Sequence, residues 1–230
     1  MAQPKALKST LVLRFSLGLV FFAALLFIPA GSLRFWQGWA WLAVFFIPVS
    51  FFFLYLYRHD RPLLERRMKM KEEAGEQKLF QIFASLIFFP AFVLAGFDHR
   101  FGWSRTYLRP VPLWLTLLSL VLVIGSFFLI FWVMRVNSFA SRTIQVEAGQ
   151  TVVSTGPYHF VRHPVYSALG ILFIVTPLAL GSFVVLPGFV LLIPVFIYRL
   201  LSEEKILRKE LPGYPEYCLR TRFRVVPLVW

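Results

Sequence analysis

The chain has 230 residues, 58% of them hydrophobic and only 15% charged, with a mean hydropathy of +0.70. A soluble domain carries roughly 25% charged residues, so the composition excludes an ordinary water-soluble fold and predicts an all-α, polytopic membrane bundle. The net charge of +13 reads as attraction to anionic headgroups rather than to nucleic acid, because the basic residues are spread over membrane-proximal loops; the single cysteine, Cys218, excludes an internal disulfide and a cysteine-built metal site.

Apolar runs of about 20 residues read as membrane-spanning helices. Six are predicted, over residues 11–29, 39–57, 80–97, 113–134, 166–180 and 183–200. The first is read as a retained helix, because its apolar stretch is long for a signal peptide and Phe27-Ile28-Pro29-Ala30 is a poor cleavage site. The third contains Pro90, which membrane helices tolerate. The fifth is short for a full span, and only Gly181-Ser182 separates it from the sixth, so these two form a tight hairpin. If the N-terminus is cytoplasmic, 19 of the 24 basic residues fall on inside segments. Only Arg34, Arg100, Arg105 and Arg109 then lie outside, while Arg14 sits within the first span. This bias predicts both termini in the cytoplasm, at the inner membrane of a bacterium or the endoplasmic reticulum of a eukaryote.

Between the second and third spans, residues 58–78 mix basic residues with Leu63, Leu64, Met68 and Met70. This is the pattern of an interfacial helix on anionic lipid. The spans themselves hold almost no ionisable side chains, which argues against ion-coupled transport. Polar chemistry gathers instead at the cytoplasmic ends of the last three spans. "TGPYHFVRHPVY" begins at Thr155, and His159 and His163 are spaced so that a helix would place both on one face. A metal role is disfavoured, since no further ligands accompany them. Hydrogen bonding to a polar ligand is the functional reading, and an interfacial aromatic and basic belt is the plain one. The second cluster runs from 198 to 230. There Arg199 pairs with Glu203 in helical spacing, as does Glu204 with Arg208, and Tyr214 and Tyr217 follow a Pro-Gly turn. Those tyrosines are able to stack on a planar ring or a cation. No glycine-rich nucleotide loop is present.

Taken together, "TGPYHFVRHPVY" and "EEKIL…LPGYPEY…RFRVVP" resemble the isoprenylcysteine carboxyl methyltransferase family, whose outline the membrane phospholipid N-methyltransferases share. The resemblance covers residues 137–227, and the first four spans contribute no motif to it. It implies a catalytic core over 111–230, preceded by N-terminal helices and a basic loop over 1–110, within one membrane domain. It also implies S-adenosylmethionine as cofactor, bound at the cytoplasmic face, and a lipophilic acceptor whose tail enters from the bilayer. Carried over by motif, the cofactor contacts fall on Gln145, Gln150, Thr151, Val152, Val153, Tyr158, His163, Pro164, Val165, Tyr166 and Glu203. The residue facing the substrate is Arg199, which suits an acceptor carboxylate such as that of a prenylcysteine. The family usually has Gly after the second Tyr of the motif, whereas here Ser167 and Ala168 follow Tyr166. Two alternatives stand beside this reading. One is an NADPH-dependent sterol-type reductase, which shares an Arg-His-x-x-Tyr element and a Tyr-Cys terminus like Tyr217-Cys218. The other is a non-catalytic lipid-binding protein.

Overall fold

The computed structural model describes residues 4–61, 63–65, 75–139 and 149–230. Gln145, Met68, Met70 and most of the basic segment after Leu64 lie outside the described residues. Long runs of Leu, Phe, Val and Ile leave the backbone no partner but itself in lipid, and helices follow. Four long ones form first: α1 (Pro4–Ala30), α2 (Trp36–His59), α3 (Gly75–Phe101) and α4 (Leu113–Val136). Then come α5 (Pro164–Ala179), the short α6 (Leu186–Val190), α7 (Leu192–Glu210) and α8 (Tyr214–Arg220). No strand occurs among the described residues.

Among the described residues, five stretches are long and apolar enough to cross a membrane: α1 through α4, and α6 with α7 taken together. The expected fifth span is the 16-residue α5, about 24 Å long at 1.5 Å per residue. The predicted hairpin after it is present. Gly181 turns in the left-handed region at φ +73°, and the Ser182 hydroxyl accepts the Val185 N–H. The last span departs from expectation at both ends. A break separates α6 from α7 at Leu191, three residues before Pro194, a residue type whose ring disfavours a helical carbonyl four residues earlier. The helix then continues past Leu200 to Glu210, carrying its charged turns out of the apolar layer.

The far end of the bundle is tied by a polar knot. Buried Asp98 accepts hydrogen bonds from the Ser104 backbone and hydroxyl. The Ser104 oxygen in turn accepts the N–H groups of Phe183 and Val184 at 3.0 and 3.2 Å. Inside, an aromatic core of Phe22, Trp41, Phe46, Phe92 and Phe189 joins α1, α2, α3 and α6. Leu63 and Leu64, expected on the lipid surface, are instead buried against α1 and α2 with Leu56 and Leu11. The apolar area they remove from water is greater there than on a headgroup layer.

Candidate cofactor and acceptor site

At the near end, the chain leaves α4 and returns to α5 through an irregular loop. Gly156 sits at φ +58°, and a Cβ there would meet Val136 at 3.0 Å and the Trp132 indole at 3.3 Å, so only glycine lets the loop lie this close to α4. Gly156–His159 makes one tight helical turn, and Pro164 opens α5 where a missing N–H costs nothing. The C-terminal segment is fastened to this corner. Arg162 N–H donates to the Phe223 carbonyl at 2.9 Å, and His163 N–H to that of Arg224 at 2.8 Å.

A cavity of about 430 Å³ opens here, ringed by α3, α4, α5, α7, α8 and the irregular stretch 150–153. Its volume falls in the roughly 300–1,000 Å³ range of cofactor pockets. Gln150, Thr151, Val152 and Val153 line one side. Tyr158, His163, Pro164, Val165 and Tyr166 line another, and Arg199 and Glu203 descend from α7. The residues that the motif placed in one site are therefore neighbours in space; of that set only Gln145 falls outside the description. His159 is not among them. It is exposed on the tight turn and shares no helical face with His163, because the chain between them is not α-helical.

The cavity is wired by short hydrogen bonds. The Tyr166 hydroxyl donates to Glu203 Oε2 at 2.7 Å. Asn137 Nδ2 donates to the Tyr158 hydroxyl at 2.8 Å, and the Tyr217 hydroxyl donates to the Tyr158 carbonyl at 2.7 Å. Arg199 lays its guanidinium over the Phe80 ring, 4.8 Å from the centroid. The Tyr214 hydroxyl lies 3.4 Å from His163 Nε2, to which it donates when the neutral imidazole carries its proton on Nδ1. Neutrality is expected there. Burial, opposed in part by Glu204 and reinforced by Arg162 and Arg224, lowers the His163 pKa to about 4. Burial likewise pushes the Tyr214 and Tyr217 hydroxyls above their ordinary range. These two tyrosines, read from sequence as stacking platforms, are buried struts that also face the cavity.

Sequence reasoning missed the role of Glu204. It is buried at 3% exposure and binds three arginines: Arg162 at 2.9 Å, Arg208 at 3.1 Å and Arg224 at 2.6 Å. Arg162 also donates to the carbonyls of Thr221 and Arg222 at 2.8 and 2.7 Å. Glu204 thus staples the motif loop, α7 and the C-terminal segment together. Only the Glu204–Arg208 spacing was visible in the sequence; the other two partners are distant along the chain.

A second space adjoins the first. A groove of about 660 Å³, almost wholly apolar, runs between α5, α7 and residues 225–230. It shares Pro164, Tyr166, Leu169 and Phe196 with the polar cavity. A helical membrane bundle with a polar pocket at one end, opening sideways onto an apolar groove, is built to bring a polar compound against a lipophilic one. Residues 114–212 match the family model described as phospholipid methyltransferase. That stretch runs from α4 to just past the end of α7 and supplies most of the cavity, and the match supports a membrane methyltransferase. No curated protein matches the chain.

Proposed function

We propose that the protein transfers a methyl group from S-adenosylmethionine to a lipophilic acceptor at the membrane–water boundary, the acceptor being a lipid-borne carboxylate such as that of a prenylcysteine. The observation that carries this reading is the shared wall: Tyr166 and Phe196 border both the polar cavity and the apolar groove. In this reading residues 111–230 are the catalytic core and the helices of 1–110 complete its apolar surroundings.

The donor set fits the cofactor. When bound, S-adenosylmethionine supplies an electrophilic methyl on a cationic sulfur. Glu203 offers a carboxylate, and the tyrosine faces of the cavity are electron-rich. His163, held neutral, adds no repelling cation. The backbone at 150–153, in no helix or strand, has donors and acceptors to offer a polar ligand. Tyr166 fixes the carboxylate of Glu203 by its hydrogen bond. Methyl transfer is an in-line displacement, so positioning carries most of the rate. An ionised carboxylate needs no general base, and Arg199, one turn before Glu203, orients it. Thermal stability in detergent tests the donor: S-adenosylmethionine raises the melting temperature and NADPH does not. The reverse result returns the reductase alternative, and no effect from either favours a lipid-binding role.

A second acceptor class, a lipid amine, is favoured by the description of the matching family and by the Glu203 carboxylate in the same cavity. Arg199→Lys separates the two. Lysine cannot copy the two-pronged guanidinium contact to a carboxylate, so turnover falls strongly for a carboxylate acceptor and little for an amine, with cofactor affinity unchanged in both.

A further inference from the structure

The polar cavity has a second apolar neighbour, distinct from the groove. An internal chamber of about 340 Å³ lies toward the bundle centre. Its N-terminal walls are Trp41 and Phe45 of α2 with Ala84 and Phe88 of α3. It meets the polar cavity at Ile130, Leu169 and Phe196, and the groove at Leu169, Phe173 and Phe196. Leu169 and Phe196 line all three spaces. A space of this size lined by aromatic and aliphatic side chains suits an apolar occupant. Water is a poor one, because apolar walls offer it no partners. The floor is polar only where the Trp41 indole N–H reaches the Thr176 hydroxyl at 3.4 Å, and that pair satisfies itself. Depth is set by α7. Leu192 lines the chamber and Glu203 the cavity, a difference of about 16 Å along the helix at 1.5 Å per residue.

We propose that this internal chamber receives the apolar tail of the acceptor lipid, that the groove is its way in, and that α2 and α3 thereby set the tail length accepted. The proposal rests on reading the polar cavity as the site of methyl transfer. The chamber ends on Trp41, Phe189 and Leu192, each buried at 1% exposure or less. An end of buried side chains penalises a tail that is too long. Trp41, Phe45, Ala84, Ser85 and Phe88 of that lining lie outside the family-matched residues 114–212, so helices beyond that stretch share in tail selection.

Trp41 provides the test, since it is buried at 1% exposure and beyond the reach of bilayer lipid. A variant keeping Trp41 as its only tryptophan is placed in phosphatidylcholine vesicles and titrated with fatty acids brominated near the chain end, which quench tryptophan on contact. The expected result is saturable loss of most Trp41 emission with tails long enough to reach it, abolished by Ala84→Phe, which fills the chamber. Quenching of a Trp132-only variant, whose indole lines the groove, with Trp41 unaffected at every chain length, overturns the proposal. Should the single-tryptophan variants not fold, diazirine-tailed fatty acids on the unaltered protein serve instead: labelling at Phe88 supports the chamber, and labelling confined to Ile197 and Val226 overturns it. With Ala84→Phe set aside for quenching, Ala84→Leu shortens the preferred acceptor, each methylene denied burial costing about fourfold in affinity. Trp41 quenching without methyl transfer from S-adenosylmethionine would leave the chamber standing and remove the reaction; methyl transfer without quenching would do the opposite.

Discussion

Glu203 and Glu204 are sequence neighbours with opposite environments. Glu203 faces the cavity and holds Tyr166, while Glu204 points away into three arginines. Their variants should therefore fail differently. Glu203→Gln keeps the shape and removes the charge, so S-adenosylmethionine binding weakens by roughly 1.5–3 kcal/mol, the worth of a charged hydrogen bond, with the melting temperature nearly unchanged. Titration calorimetry on the folded variant checks this. Glu204→Gln leaves buried Arg162 without its counter-charge, and such a loss costs about 3–5 kcal/mol of stability; a large fall in melting temperature is expected. His163 gives a pH signature. Its folded pKa of about 4 lies below the unfolded value of about 6.5. Between those values the unfolded chain binds the proton and the folded one does not. Its contribution is complete above the upper value and declines as pH falls toward the lower, by about 3 kcal/mol in all. His163→Asn should flatten that part of the stability–pH profile; an unchanged slope would show that another group titrates there.

Among the helices, the closest approach is between α1 and α3. A Cβ at Gly96 would lie 2.5 Å from the Leu26 carbonyl oxygen and 3.0 Å from Pro29. Gly96→Ala therefore pushes two backbones apart, and overpacking of this kind typically costs about 1–3 kcal/mol, read as lower thermal stability in detergent. The sequence made these elements legible unevenly. Apolar runs located α1 to α4 because lipid demands them, and the Gly181 turn was visible as a break between runs. The ends were harder. Helix α7 outlasts its apolar run by two to three turns because Glu204 and Arg208 support it in helical spacing, and periodicity of hydrophobicity does not report that. The break at Leu191 falls inside the predicted apolar run, and composition does not report it. For the site, the motif residues were legible as a set, but their wiring was not. Tyr166 meets Glu203, and Arg162 meets Glu204, across some forty residues of chain that the fold brings together.

For the molecule as a whole, the near end carries the polar cavity and the far end the Asp98–Ser104 knot. The basic-residue bias supports placing the near end, with both termini, in the cytoplasm, where S-adenosylmethionine is made. Impermeant labelling of a tag at either terminus should require opening the membrane; labelling of the C-terminus from outside intact cells would contradict that orientation. The central claim is that the cavity ringed by Glu203, Tyr166 and Arg199 passes a methyl group to a lipid arriving through the apolar groove. It is tested most directly by reconstituting the purified protein in vesicles of total lipid extract with methyl-labelled S-adenosylmethionine. The account predicts label in an extractable lipid product, released by mild base if the product is a methyl ester, and lost in Glu203→Gln. No transfer of label to any lipid by folded protein that binds the cofactor would contradict it.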